Sequence, residues 1–273
     1  MIRYPYKTHQ KTFQTYSDTY SFGPGNVFEM HLADNPEKKH RCLNLVRRIY
    51  SERGYHSARS GRTDAFDAVD GAATFLVTAH GRPAGTLRII PDSPRELPMD
   101  SIYPDLLAPL RSQNTAICEI ASMAIDTSYS GDTMPVLLEL FRLAWLTARH
   151  ILGASDMLAS VMAHHVHFYR KRLLFDEVSP APRISPRTGC PVNFCRLDLP
   201  LAENRYRAHY TRRKGGKNLY DFFFTDKLLS EREFWLYQHL LPHTGTLSGT
   251  FNTTVRRKAC SATAKPLLVM SAS

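Results

Sequence analysis

The order of its apolar runs constrains this chain more than any other feature. Two runs of strand length, TFLVTAH (74–80) and PAGTLRIIPD (83–92), flank a turn at Gly81, and a third, TAICEIASMAID (115–126), follows them. Beyond that point strand and helix patterns alternate. A helix spans about Thr133 to Leu152, DMLASVM (156–162) reads as a strand, a helix runs from about His164 to Leu174, and FDEVS (175–179) and VNFCRLD (192–198) read as strands. Strands joined by a tight turn pair antiparallel, whereas strands joined through a helix return parallel. The expected architecture is therefore an α+β fold, an α/β/α sandwich around one mixed central sheet. Two more helices complete it. Asn35 is a capping side chain before Pro36, after which Cys42, Leu45, Val46 and Ile49 recur at helical spacing up to Gly54. SIYPDLLAPLRS (101–112) reads as a short helix inserted before the third strand.

These patterns divide the 273 residues into three parts. Residues 1–34 are aromatic and polar without clear period, so they are expected to wrap the fold with little regular structure. Residues 35–199 form the main domain. Residues 200–273 form a basic, aromatic extension, RYRAHYTRRKGGKNLYDFFF (205–224), followed by an amphipathic helix around Ser230 to Leu241 and a poorly ordered tail ending in SATAKPLLVMSAS. Lys and Arg exceed Asp and Glu by 35 to 25, a net charge of +10, which calls for an acidic partner or substrate. The five cysteines, Cys42, Cys118, Cys190, Cys195 and Cys260, have no CxxC spacing and suit reduced thiols. The longest apolar stretch, VLLELFRLAWLTARHIL, is interrupted by Glu139, Arg142 and Arg149, and the N-terminus has no apolar run. The expected location is the cytoplasm.

Chemistry concentrates at a few positions. Period two along the third strand puts Ile117, Glu119, Ala121, Met123 and Ile125 on one face, so the Glu119 carboxylate lies among apolar neighbours. Desolvation raises a carboxyl pKa, which is what a general base working near neutral pH requires. Arg88 lies on the preceding strand and could face Glu119, either as a structural ion pair or as a clamp for a substrate carboxylate. Asp64, Asp67 and Asp70 recur three apart and could receive an amine or cap a solvated loop. In HHVHFYRKRLLFDEV (164–178), His164, His165 and His167 have no HExxH partner, so no metal is called for. Tyr169 there is either a core aromatic residue or a phenol that protonates a leaving group. GxSxG, GxxxxGK[ST] and a strand-linked GxGxxG are all missing, which removes the corresponding hydrolase, P-loop and Rossmann readings.

Taken together, GTLRIIP (85–91), CEIASMAID (118–126) and HFYRKRLLFDEVS (167–179) resemble the GNAT acyltransferase fold. Within it the chain is similar to the long-chain N-acyl amino acid synthases of the FeeM type and, more distantly, to acyl-homoserine-lactone autoinducer synthases. The resemblance implies a central sheet with splayed strands and an enzyme that moves a fatty acyl group from a thioester to the amino group of an amino acid or similar amine. It implies Glu119 as general base, Arg88 with Asp64 and Asp67 at the acceptor pocket, Tyr169 as proton donor, and Ala121, Ser122, Met123 and Ala124 along the acyl-pantetheine arm.

Two departures refine it. Ser122 stands where autoinducer synthases carry arginine, which favours an amino acid acceptor over S-adenosylmethionine. TSYSGDTMP (127–135) replaces the glycine-rich pyrophosphate loop, with Asp132 where phosphates would lie. The implied donor is thus acyl-phosphopantetheine on an acidic acyl carrier protein in preference to acyl-CoA, with no permanently bound cofactor. Arg170, Lys171 and Arg172, with Arg212, Arg213 and Lys214, would dock the carrier, and a lipid product allows peripheral membrane contact. The competing readings are an acetyl-CoA-dependent small-amine acetyltransferase, a member of the fold whose site has decayed, and a nucleic-acid-binding protein that stacks bases on Tyr206, Tyr210 and Tyr220.

Overall fold

A computed structural model describes residues 18–55, 66, 69–113, 116–129, 131–211 and 218–240. Among the described residues nine strands form one sheet: β1 (Thr19–Phe22), β2 (Phe28–Leu32), β3 (Ala73–Ala79), β4 (Arg82–Pro91), β5 (Ile117–Ile125), β6 (Asp156–Met162), β7 (Asp176–Glu177), β8 (Arg183–Ile184) and β9 (Pro191–Asp198). Their spatial order is β1-β2-β3-β4-β5-β6-β9-β7, with β8 also on β9. Among the described residues β5 and β6 pair parallel and the other pairings are antiparallel. The hairpins do come first, and the one parallel step crosses through a helix.

Among the described residues six α-helices cover the sheet: α1 (Pro36–Glu52), α2 (Pro104–Ser112), α3 (Met134–Leu146), α4 (Ala163–Lys171), α5 (Leu199–Tyr210) and α6 (Leu229–Leu240). The start of α1 follows from its sequence. The Asn35 side chain accepts the Lys38 N–H at 2.9 Å, Pro36 occupies the first turn, and Cys42, Leu45 and Ile49 face inward. On the α1 and α2 side the sheet presents Leu76 to Cys42, and Ile90, Ile117, Leu158 and Phe194 to Leu107 and Leu110. The opposite face carries Phe75, Val77, Leu87, Ile89, Cys118 and Ile120, which share one large core with Val136, Leu140 and Phe141 of α3 and Val166 and Tyr169 of α4. The predicted sandwich of helix, sheet and helix is the one observed.

Both ends of the described chain differ from expectation. Residues 19–22 and 28–32 are sheet strands, because Phe28, Met30 and Leu32 alternate with Glu29 and His31 and put one face of β2 into the core. FDEVS, expected as a full strand, contributes only Asp176 and Glu177 to the sheet. Among the described residues beyond Leu199 the chain does not loosen as expected. Tyr206, Tyr210, Phe223, Trp235 and Leu236 join the same core as α3 and β6. The expected tail, SATAKPLLVMSAS, lies outside the described residues.

A buried ion cluster fastens the two ends to α3. Glu139, its side chain 4% exposed, accepts from Tyr20 Oη at 2.9 Å and Arg232 Nε at 2.9 Å and pairs with Arg142 Nη1 at 3.1 Å. Arg142 also donates to Asp226 Oδ2 at 2.7 Å and to the Phe222 carbonyl at 2.9 Å. Every charge removed from water there meets an opposite one, which a buried pair requires.

Candidate active site

The parallel step creates the site. β5 and β6 stay in register only from Ile117 opposite Asp156 to Ile120 opposite Ala159, yet β5 continues to Ile125 and β6 to Met162. Past that last pair the strands part, and a cavity of about 460 Å³ opens between them, lined on one side by Glu119 to Ile125 and on the other by Ser160, Val161 and Met162. Its size suits a small-molecule ligand.

A bulge shapes one wall. Arg88 pairs with Ala121 and Thr86 with Ala124, so two residues of β4 span three of β5, and Ser122 takes a left-handed φ of 51°. A non-glycine residue holds such a conformation at a cost of about 1–3 kcal/mol, of the kind that concentrates at functional sites. The bulge also reverses the side-chain alternation. Met123 and Ile125 pack against the α3 side, while Ala124 meets Leu45 and Ile49 of α1. The expectation that Met123 and Ile125 share a face with Glu119 fails for this reason; Ala121, Ser122, Met123 and Ala124 nonetheless all line the cavity.

Glu119 is completely buried at the floor of this opening, on the α1 and α2 side. Its Oε2 accepts the Met99 N–H at 2.9 Å, and its buried Oε1 has no hydrogen-bond partner among the described residues. Burial pushes its carboxyl up to about 8, against the Met99 N–H and the Arg187 guanidinium, which pull it down. Met99 is placed by a 3₁₀ turn, Pro98–Ser101, whose entry is fixed by Leu97 N–H donating to Asp100 Oδ2 at 2.6 Å. The element read as a short helix is α2, and the turn just before it, which shares only Ser101 with that reading, supplies the donor.

Arg88 shares the sheet face of Glu119 but lies diagonal to it, since Glu119 is opposite Ile90. It is 6% exposed, its Nε donates to Thr74 Oγ1 at 3.0 Å, and it is not among the residues lining the cavity. The lining cation whose charge acts on Glu119 is Arg187. The sequence reading does not single it out, because it sits in SPRTGC, a turn between two short strands with no periodicity.

Tyr169 reaches the cavity from the other side of the sheet. Its ring meets the edges of Phe141 at 5.6 Å and Phe175 at 5.3 Å, and burial raises its phenol pKa, so it stays a neutral O–H. The split between β5 and β6 therefore joins an acid on one face to a phenol on the other. At the α3 end of the opening, Asp132 Oδ1 accepts the Met134 N–H at 2.9 Å, so a carboxylate occupies the helix N-terminus. Arg170, Lys171 and Arg172 are exposed on α4, with Arg170 paired to Glu177 at 3.1 Å. Asp64, Asp67, Arg212, Arg213 and Lys214 lie outside the described residues.

Two of the three rings in the base-stacking reading are buried in the core, and the third, Tyr220, is half-buried with its ring stacked on Phe224 at 5.7 Å. Tyr206 and Tyr210 are each 3% exposed, and their hydroxyls donate to the Leu173 and Arg172 carbonyls at 2.6 and 2.5 Å. Their rings are core, not platforms. Among the described residues there is no group of three or more His, Cys, Asp or Glu able to hold a metal ion, and no helix long and apolar enough to cross a membrane.

Comparison with known proteins agrees with this geometry. The model of the N-acyl amino acid synthase FeeM family matches residues 41–198, more than half of the chain. The solved structure of FeeM, an N-acyl amino acid synthase from uncultured soil microbes, is 25% identical with a TM-score of 0.58, covering 65% of this chain and 93% of that one. The AHL synthase LasI is also similar, at 17% identity and a TM-score of 0.45, over 64% of this chain and 93% of that one. So is an acyl-CoA N-acyltransferase from Pseudomonas aeruginosa, at 17% identity and a TM-score of 0.43, over 62% and 97%. No curated protein matches. The chain is an acyltransferase of GNAT-like fold and belongs to the N-acyl amino acid synthase FeeM family.

Proposed function

We propose that this enzyme transfers a fatty acyl group from the phosphopantetheine arm of an acyl carrier protein to the amino group of an amino acid, with Glu119 as the general base. The observation that carries this reading is the Glu119 carboxyl itself, fully buried at an open cavity with one oxygen left over for a substrate proton. Raised to about 8, it is matched to accepting a proton from an ammonium group.

The thioester arm enters the split between β5 and β6, where unpaired backbone of the diverging strands hydrogen-bonds it. Glu119 removes a proton from the acceptor's ammonium, and the freed amine attacks the thioester carbonyl. Backbone N–H groups near the Ser122 bulge stabilise the oxyanion. Collapse breaks the C–S bond and the departing thiolate takes the proton of the Tyr169 hydroxyl, while the second proton leaving the nitrogen passes through solvent to restore the phenol and Glu119 returns its own proton to solvent. Arg88, buried behind the acid on the same face, serves as a positioning residue, and Asp64 and Asp67 bind the acceptor's ammonium.

The choice of donor rests on Asp132. The pyrophosphate of coenzyme A would meet a carboxylate that already accepts the first free N–H of α3, whereas a carrier-bound arm brings its single phosphate in a diester and leaves the rest of its charge on the carrier. The exposed Arg170, Lys171 and Arg172 would steer an acidic carrier toward the cavity mouth. The test offers the purified enzyme matched acyl-carrier and acyl-CoA thioesters with a mixture of amino acids, and identifies products by mass spectrometry. A higher kcat/KM for the carrier thioester and loss of N-acyl product in Glu119→Gln are expected. Equal rates with both donors would remove the carrier, and full activity of Glu119→Gln would remove the base.

A further inference from the structure

We propose that His165 is the proton relay of this enzyme, the group through which the buried Tyr169 hydroxyl regains its proton from solvent after each turnover. This rests on the reading of Tyr169 as the acid that meets the departing thiolate.

Tyr169 itself creates the need for a relay. Its side chain is 6% exposed and packed against Phe141 and Phe175, and burial holds its phenol far above the ordinary range. A phenolate left there is strongly disfavoured, so the proton it gives away has to come back within the same catalytic cycle.

α4 supplies a graded path for that return. Residues four apart on a helix share one face, which puts His165 one turn nearer the start of α4 than Tyr169, and both side chains line the cavity. Access to water falls along this line. His164 is exposed, His165 is half-buried and Tyr169 is buried. The His164 and His165 ring centroids lie 4.0 Å apart, and the Tyr55 hydroxyl, just past the end of α1, lies 3.4 Å from His164 Nε2. Bulk water, an exposed imidazole, a half-buried imidazole and a buried phenol therefore follow one another. Among the described residues neither the His165 ring nor the Tyr169 hydroxyl is held by a hydrogen bond, so both are open to a water between them in the cavity.

The charge state of His165 suits the task. Burial, with the positive fields of His164 and of Arg53 at the end of α1, lowers its pKa, so the ring is neutral near neutral pH. A neutral imidazole has one N–H and one bare nitrogen, and it can give a proton on one side as it takes one on the other. The protons then balance. The thiolate takes the phenol proton, the phenolate takes the His165 N–H proton through the intervening water, and the other ring nitrogen takes a proton from His164 or bulk water, which matches the second one that the acceptor nitrogen released. Exchange with water resets the tautomer.

The test follows acyl transfer by the wild type, His165→Ala and His165→Gln in dilute buffer, with and without added imidazole. In both variants kcat should fall by about tenfold while KM for donor and acceptor stays close to that of the wild type. Imidazole should restore kcat in a saturable way, most fully in His165→Ala, because a free base of the same chemistry enters the space that the side chain left. A purely structural role would show no such rescue. Tyr169→Phe should not respond to imidazole, and adding His165→Gln to it should lower kcat no further, since the relay then has no acid to serve. Wild-type kcat in His165→Ala, or a slow variant that imidazole leaves slow, would overturn the relay and leave Tyr169 as the acid. Full activity of Tyr169→Phe, or a wild type that transfers no acyl group, would overturn the proposed reaction and the relay with it.

Discussion

Two buried glutamates define two different regions of this molecule. Glu139 meets Tyr20, Arg142 and Arg232, so its charge is fully answered in the cluster that joins β1, α3 and α6. Glu119 meets a single backbone N–H and keeps one buried oxygen without a partner among the described residues. The same side chain is thus an ion-pair partner in one place and, in the proposed reaction, a proton acceptor in the other. The difference comes from neighbours, not from depth, since both are nearly inaccessible to water.

Four variants would break or sharpen that contrast. Glu119→Gln keeps the acceptor for the Met99 N–H and removes the base; acyl transfer should fall by about 10²–10⁴-fold. The same variant should be more stable than the wild type in alkaline melts. Because the folded pKa of about 8 lies above the ordinary carboxyl value of 4.5, the folded state holds a proton that the unfolded chain releases, and stability declines as pH rises from 4.5 to 8. The melting advantage of the variant should therefore grow between pH 5 and pH 8; a constant advantage would mean that Glu119 titrates normally.

Glu139→Ala should do the reverse. It strands Arg142 and Arg232 without their shared anion, at a cost of about 3–5 kcal/mol read from denaturant unfolding, while the turnover of the remaining folded enzyme changes little. Tyr169→Phe keeps the ring contacts with Phe141 and Phe175 and removes only the hydroxyl, so kcat should fall by about tenfold or more with unchanged stability, and unchanged kcat would return Tyr169 to the core. The smallest effect belongs to the surface. Reversing Arg170, Lys171 and Arg172 to Glu should lower kcat/KM for a carrier-bound donor several-fold, most at low salt, and leave acyl-CoA turnover as it was.

The burial of Glu119 was legible in the sequence because an acid at an inward position stands out in an otherwise apolar strand. The order of strands and helices was legible because each run is long enough to show its period. The bulge at Ser122 was not, because serine carries no signal for a left-handed conformation and the alternation on either side of it looks continuous. β1 and β2 were passed over although FEMHL alternates, since five residues next to an irregular aromatic segment make a weak period. Arg187 depends on a turn whose position over the cavity is set by β9, a long-range fact that no local pattern encodes. Tyr206 and Tyr210 misled in the opposite direction, because a basic, aromatic composition is the same whether its rings face water or the core.

The ion cluster has a consequence for biosynthesis. Tyr20 lies 5.3 Å from the ring of Trp235, edge to face, and the Arg232 guanidinium sits 3.6 Å over the Tyr20 ring, so β1 cannot complete its contacts until the far more distal α6 has been made. Pairing across such a span closes a very long loop, which slows assembly and lengthens the time that a nascent chain stays unfinished. A ribosome stalled anywhere before α6 would present an acyltransferase sheet with its edge still unfastened, a species that chaperones would need to shield.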